Sequence, residues 1–211
     1  PEPRERPKLR PIDEAMLSAL NGIISRVLKS YREMDVFVPA NELFRFTWHV
    51  FADHYIEVVK LRAYNAEGEF SEEEQRAAWY TLHTVLKSVL KLLAPIMPFV
   101  TDAIWRRLYG GGSIHRERFP SEVEVERPEL AQLVEPLMRF NSKLWSYKKS
   151  RGIALNQPLE ARVYAPAALR PFEKDLLVAH RLREIVFTDE VPDEVRRRGI
   201  DLGDGVYVEA A

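Results

Sequence analysis

The stretch Phe46-Thr47-Trp48-His49-Val50-Phe51-Ala52-Asp53-His54-Tyr55-Ile56-Glu57-Val58-Val59-Lys60 decides the fold. With the preceding Phe44, its residues Trp48, Phe51, Tyr55 and Val58 fall on one helical stripe, while Arg45, His49, Asp53 and Glu57 recur every four residues on the other side. This is an amphipathic helix. Pro39 suits its first turn, and Asn65-Ala66-Glu67-Gly68-Glu69 reads as the turn that ends it. About 26 residues of helix would span roughly 40 Å. A second stretch, Leu92-Leu93-Ala94-Pro95-Ile96-Met97-Pro98-Phe99-Val100-Thr101-Asp102-Ala103-Ile104-Trp105, follows; Pro95 and Pro98 must end or kink a helix there, because each lacks the amide hydrogen that an interior position needs. Trp48, Phe51, Tyr55, Phe99 and Trp105 all read as core, since burial of a large ring on such a stripe contributes most.

Outward from these stretches the helical pattern continues. Pro11-Ile12-Asp13 opens a first helix with Leu17, Leu20, Ile24, Val27, Leu28 and Tyr31 at helical spacing. Ser71 with Glu74 three residues later is a capping box for a third helix, which carries Ala78, Leu82, Val85, Val89 and Leu92. A fourth helix is predicted from Phe99 to Tyr109, closing on Gly110-Gly111-Gly112. Ser113 to Arg127 reads as loop with at most a short extended piece. Pro128 then starts a fifth helix, with Leu130, Leu133, Leu137, Phe140, Leu144 and Tyr147 on one side, ending at Arg151-Gly152. After Pro158 the pattern changes. Glu160–Tyr164 alternates like a strand, Ala167–His180 reads as a helix, and Glu184–Phe187 and Gly205–Glu209 read as short strands. The expected division is a helical unit over 1–152 and a small α/β unit over 153–211.

The 211 residues, 46% of them hydrophobic, suffice for one sizeable core, or for one core plus a small satellite. Cysteine is absent, which excludes a disulfide framework and any thiolate metal site and fits the cytoplasm. No apolar run approaches the roughly 18 residues of a membrane span, and Pro1-Glu2-Pro3-Arg4-Glu5-Arg6-Pro7-Lys8 has no apolar signal core. A first residue of Pro and a polar, proline-rich lead imply a piece of something longer. Net charge is only -1, so any contact with nucleic acid must be local rather than driven by bulk charge.

Catalytic signals are weak. The sequence has no Gly-x-Ser-x-Gly elbow, and Gly110-Gly111-Gly112 lacks the Lys-Ser/Thr that a phosphate loop uses. His49, Asp53 and His54 share a helix region but no further clustered ligand follows them, so a solvated face with an ion pair is expected rather than a metal site. The fifth helix offers more. Arg139, Lys143, Trp145, Tyr147, Lys148, Lys149 and Arg151, followed by Asn156 and Gln157, interleave cations with aromatic rings: cations track phosphates, and ring or guanidinium planes stack on splayed single-stranded bases. The alternative is that Trp145 and Tyr147 are core while the cations solvate a helix end that favours them anyway. Arg45, Lys60 and Arg62 are further phosphate-contact candidates or surface ion-pair partners. Arg196-Arg197-Arg198 is expected in a loop, solvated but able to touch an RNA backbone.

Together and in this order, the two opening stretches resemble the C-terminal anticodon-binding region of class I aminoacyl-tRNA synthetases, the valyl branch most closely. Lys8-Leu9-Arg10-Pro11-Ile12-Asp13 resembles the entry to that family's bundle, and Arg151-Gly152-Ile153-Ala154-Leu155-Asn156-Gln157-Pro158-Leu159 is similar to its Gly-Ile-x-Leu-Asn-x-Pro-Leu segment. Ala52 and His54 depart from the common Phe-Cys-Asp-Trp-Tyr-Ile-Glu string, and Ala94 and Asp102 replace a frequent His and Glu; these departures look archaeal. The bacterial valyl coiled-coil arm has no counterpart after Leu159.

The resemblance implies a mainly α chain, a bundle of about five helices followed by a small α/β subdomain, which grips the anticodon stem-loop of valine tRNA. A separate catalytic half, a nucleotide-binding fold using ATP and Mg²⁺, would form valyl-tRNA. Neither a His-Ile-Gly-His type motif nor a Lys-Met-Ser-Lys-Ser type loop occurs here, so this piece alone is expected to be non-catalytic and without a cofactor of its own. Two rivals stand beside this expectation: a free-standing tRNA-binding paralogue, and a helical scaffold for protein partners.

Overall fold

A computed structural model describes residues 2–210; Pro1 and Ala211, the outer ends of the two expected units, lie outside the described residues. Helix α1 (Pro11–Arg32) starts on a proline whose missing amide is no loss at that position, and it buries Ile12, Leu17, Leu20, Ile24 and Val27. The second rod is α-helical at its ends only: α2 (Phe37–Arg45) runs into a π-helical segment, Phe46–Ile56, and then into α3 (Glu57–Tyr64), which stops at Asn65 in the left-handed conformation (φ 48°). Helix α4 (Glu72–Leu93) has the expected capping box, with Glu74 N–H donating to Ser71 Oγ at 3.2 Å and Ser71 N–H to Glu74 Oε2 at 2.8 Å. Helix α5 (Pro98–Tyr109) follows the proline break, and α6 (Val134–Ser150) follows a 3₁₀ turn over Pro128–Leu133.

The π segment corrects the stripe. Its wider turn holds more residues than the 3.6 of an α-helix, so residues spaced for one face before it are rotated apart across it. Phe51 and Tyr55 point into the core, while Phe44 and Trp48 stack on each other outside (6.5 Å between centroids), Trp48 being 58% exposed. Phe99 is also outside, at 90% exposure, although it was expected in the core. Helix α5 buries Thr101 and Trp105, and Phe99, two residues before Thr101, lies about 200° round the helix from it.

After Gly152 the chain forms a four-stranded mixed sheet of order β2-β1-β4-β3. Strands β1 (Leu159–Ala165) and β2 (Leu182–Phe187) are parallel, with Val163 opposite Ile185, and the crossover between them is α7 (Glu173–His180). Arg196–Arg198 lie in a short helix, α8 (Asp193–Arg198), rather than in a loop. The edge strand β3 (Ile200–Gly203), which the sequence reading omitted, pairs antiparallel with β4 (Val206–Ala210) through an Asp204-Gly205 hairpin turn with φ of 55° and 74°.

One hydrophobic cluster runs from α1 and α4 through α6 into the sheet, taking in Leu17, Val85, Leu144, Val163 and Val208. A buried ion network crosses the same joint and corrects the reading of Arg62. Its guanidinium, expected on the surface, is fully buried: Nη1 donates to Asp13 Oδ2 at 2.8 Å and Nη2 to Asp13 Oδ1 at 2.5 Å, while Nε lies 3.0 Å from Asp175 Oδ1 on α7. Burial opposes its charge, but Asp13 and Asp175 outweigh that and hold the group above its ordinary pKa. Tyr55 Oη donates to Asp13 at 2.6 Å, and Arg10 Nε donates to Asp175 at 2.8 Å. Periodicity could not reveal this, because a helix position that faces a carboxylate across the core looks the same in sequence as one that faces water.

Candidate nucleic-acid interface

Arg139, Lys143, Tyr147 and Arg151 are spaced by four along α6 and its C-cap, so they form a slowly winding ladder on one side of the helix. Its inner side, with Leu137, Phe140 and Leu144, is buried, which forces the ladder outward. Arg139, Lys149 and Arg151 are exposed, and among the described residues none of them is in an ion pair. Lys143 Nζ lies 3.6 Å from Asp204 Oδ2. The Arg151 guanidinium sits over the Tyr147 ring, 5.6 Å from its centroid, within cation–π range. Lys143, Ser146, Tyr147, Ser150 and Arg151 form one wall of a groove whose other wall is Ile200 and Leu202 of β3.

Lys148 leaves the surface set. It faces inward at 0% exposure, and its ammonium donates to three carbonyls: Leu155 O at 3.2 Å, Gln157 O at 2.7 Å and His180 O at 2.6 Å. Burial, with the nearby charge of Arg181, lowers its pKa. Lys148 therefore anchors the 155–157 turn and the end of α7 to α6; its neighbours at 147 and 149 point elsewhere because each residue advances about 100°.

Trp145 is half-buried, its ring between those of His54 (5.4 Å) and His180 (5.5 Å). His180 is enclosed, with Nε2 2.7 Å from Asn141 Oδ1; an amide oxygen only accepts, so Nε2 carries the hydrogen. Burial and then the Lys148 charge push its pKa down to about 3, and the ring is neutral. Burial likewise lowers that of His54.

The remaining positions separate. Asn156 is exposed in the turn after α6, and Gln157 closes that turn by accepting from Ala154 N–H at 2.9 Å. Arg45 is exposed beside a different hollow, between α1 and α2, that also touches Arg26, Glu42 and Val50. Lys60 pairs with Glu57 at 2.5 Å, and His49 with Asp53 at 3.2 Å. Ser146, Ser150, Ile200 and Leu202 also line the groove beside α6, although the sequence pattern does not single them out. The serines repeat the spacing of four and could have been found; Ile200 and Leu202 depend on a strand that the pattern did not show.

With this geometry in view, the comparisons define the class. The chain belongs to the family described as the anticodon-binding domain of tRNA ligase, whose model matches residues 13–164. It is similar to the valine–tRNA ligase of Pyrobaculum aerophilum, 46% identical over 185 residues (88% of this chain, 23% of the relative), and to that of Aeropyrum pernix, 40% identical over 198 residues (92% and 24%). The valine–tRNA ligase of Archaeoglobus fulgidus is 31% identical over 199 residues, covering 94% of this chain and 22% of the relative. The chain thus spans about a quarter of the length of the curated relatives it matches. Among the described residues no helix is long and apolar enough to cross a membrane.

Proposed function

We propose that this chain is the tRNA-gripping part of a valine–tRNA ligase, holding the anticodon arm of valine tRNA against the outer side of α6. The observation that carries this reading is the ladder Arg139–Lys143–Tyr147–Arg151, with Lys149 beside it: cations in no ion pair among the described residues at three positions, and a ring–guanidinium pair, in a chain of the anticodon-binding family. Cations neutralise phosphates and release counterions, while the planar pair suits an unstacked base. Arg45 and Asn156 are secondary contacts at the margins. Activation of valine with ATP and Mg²⁺ belongs, on this reading, to the rest of the ligase polypeptide, in the cytoplasm. The exposed apolar residues of α5, Phe99, Val100, Ile104 and Leu108, favour a protein contact as well, and the catalytic half is the partner that fits.

Single alanine replacements of Arg139, Lys149 and Arg151 test the reading. Each should weaken tRNA binding and flatten the log–log salt dependence by roughly one phosphate's worth, a slope change of about 0.7–0.9. Unchanged affinity and slope in all three would remove α6 from the interface.

A further inference from the structure

We infer that the α/β appendage is the second half of the RNA site: edge strand β3 and the end of α6 form a groove for one or two unstacked nucleotides of a single-stranded RNA loop. This rests on the RNA-binding reading above. One wall carries Lys143 and Arg151 with the hydroxyls of Ser146 and Ser150, and the Arg151–Tyr147 pair presents a planar face. The opposite wall is apolar, Ile200 and Leu202, delivered by the strand at the sheet edge. A duplex presents phosphates outward and keeps its bases stacked inside, so it could use the cations but not the apolar wall. A nucleotide splayed from a loop uses both, its phosphate on Lys143 or Arg151 and its base face between the planar pair and the side chains of β3. Strand β3 is held by its antiparallel pairing with β4 across the Asp204-Gly205 turn, and Lys143 Nζ lies 3.6 Å from Asp204 Oδ2. The appendage is thereby assigned a binding role rather than a merely structural one.

The test uses the full chain with two probes: a hairpin with the anticodon stem and loop of valine tRNA, and the same stem closed as uninterrupted duplex. Ile200→Ser, Leu202→Ser and Tyr147→Ala should each weaken hairpin binding by about tenfold, the lower part of the range for loss of one stacked base, with the salt slope unchanged and duplex binding barely altered. Tyr147→Phe should bind as the parent does. Thermal unfolding of each variant separates loss of contact from loss of fold, and Ile200, already at the surface, gives the cleanest arm. Wild-type hairpin affinity for Ile200→Ser and Leu202→Ser, alongside weakening by Lys149→Ala, would overturn the inference and leave the proposed function standing. Equal weakening on hairpin and duplex would also overturn it. If Lys149→Ala and all the groove variants bind both probes as the parent does, the RNA reading of α6 fails as well.

Discussion

Replacing Arg62 by methionine should cost about 3–5 kcal/mol of folding stability, the usual consequence of removing one partner from a buried ion pair. Arg62, Asp13 and Asp175 are all at 0–1% exposure, and Arg62 supplies two hydrogen bonds to Asp13, one close contact to Asp175 and one bond to Glu74 O at 3.0 Å. The side chain of methionine fills much of the space but leaves the Asp13 carboxylate with only Tyr55 Oη and the Arg10 amide, and Asp175 with Arg10. For a chain of this size each kcal/mol is worth about 2–4 °C, so the melting temperature should fall by roughly 6–20 °C. Urea unfolding of the parent, R62M and the neutral triple variant D13N/R62M/D175N measures the effect. The triple should recover at least half of the loss, since the cost lies in the stranded charges. A cost below about 1 kcal/mol for R62M would refute the network as described, all the more if the variant kept its stability but lost affinity for RNA.

Acid should loosen the joint between bundle and appendage through His180. Its folded pKa is about 3 against about 6.5 unfolded, so between these values the unfolded chain holds one more proton; the contribution is complete above pH 6.5 and falls by about 1.4 kcal/mol per unit below it. Denaturant midpoints from pH 7 to pH 4.5 would show this slope, and His180→Phe should flatten it. Lys148→Met strands three carbonyls and should cost about 1–3 kcal/mol, with hydrogen exchange rising first over residues 153–158 and at the end of α7. Ser71→Ala removes the cap of α4 and should cost about 1 kcal/mol by the same urea assay.

The helices were legible where a local rule governs them. Ser71 and Glu74 announce α4 because a capping box is contained in four residues, Pro11 opens α1, and Pro98, which marks a break in the helical pattern, is the first residue of α5. The π segment was not legible. Phe44, Trp48, Phe51 and Tyr55 carry an α-spaced pattern, and what divides them is the i→i+5 bonding of Phe46–Ile56, which leaves no mark in spacing. Arg62 and Lys148 were misplaced for a related reason: long cationic side chains in helices default to solvent, and only the fold shows that Asp13 and Asp175, or three free carbonyls, await them. Strand β3 is four residues long, Ile-Asp-Leu-Gly, too short for periodicity to separate from loop, although Asp204-Gly205 is a hairpin signal that could have located it. The exposed cations of α6 were visible in the sequence; their common side, and the wall facing them, come from the fold.

The most direct measurement is a titration of the chain with valine tRNA and with the same tRNA carrying a changed anticodon, at low and moderate salt. Tighter binding to the unaltered anticodon is expected at both salt concentrations, with both affinities falling as salt rises. Equal affinity for the two tRNAs, or binding to neither, would contradict the proposed function.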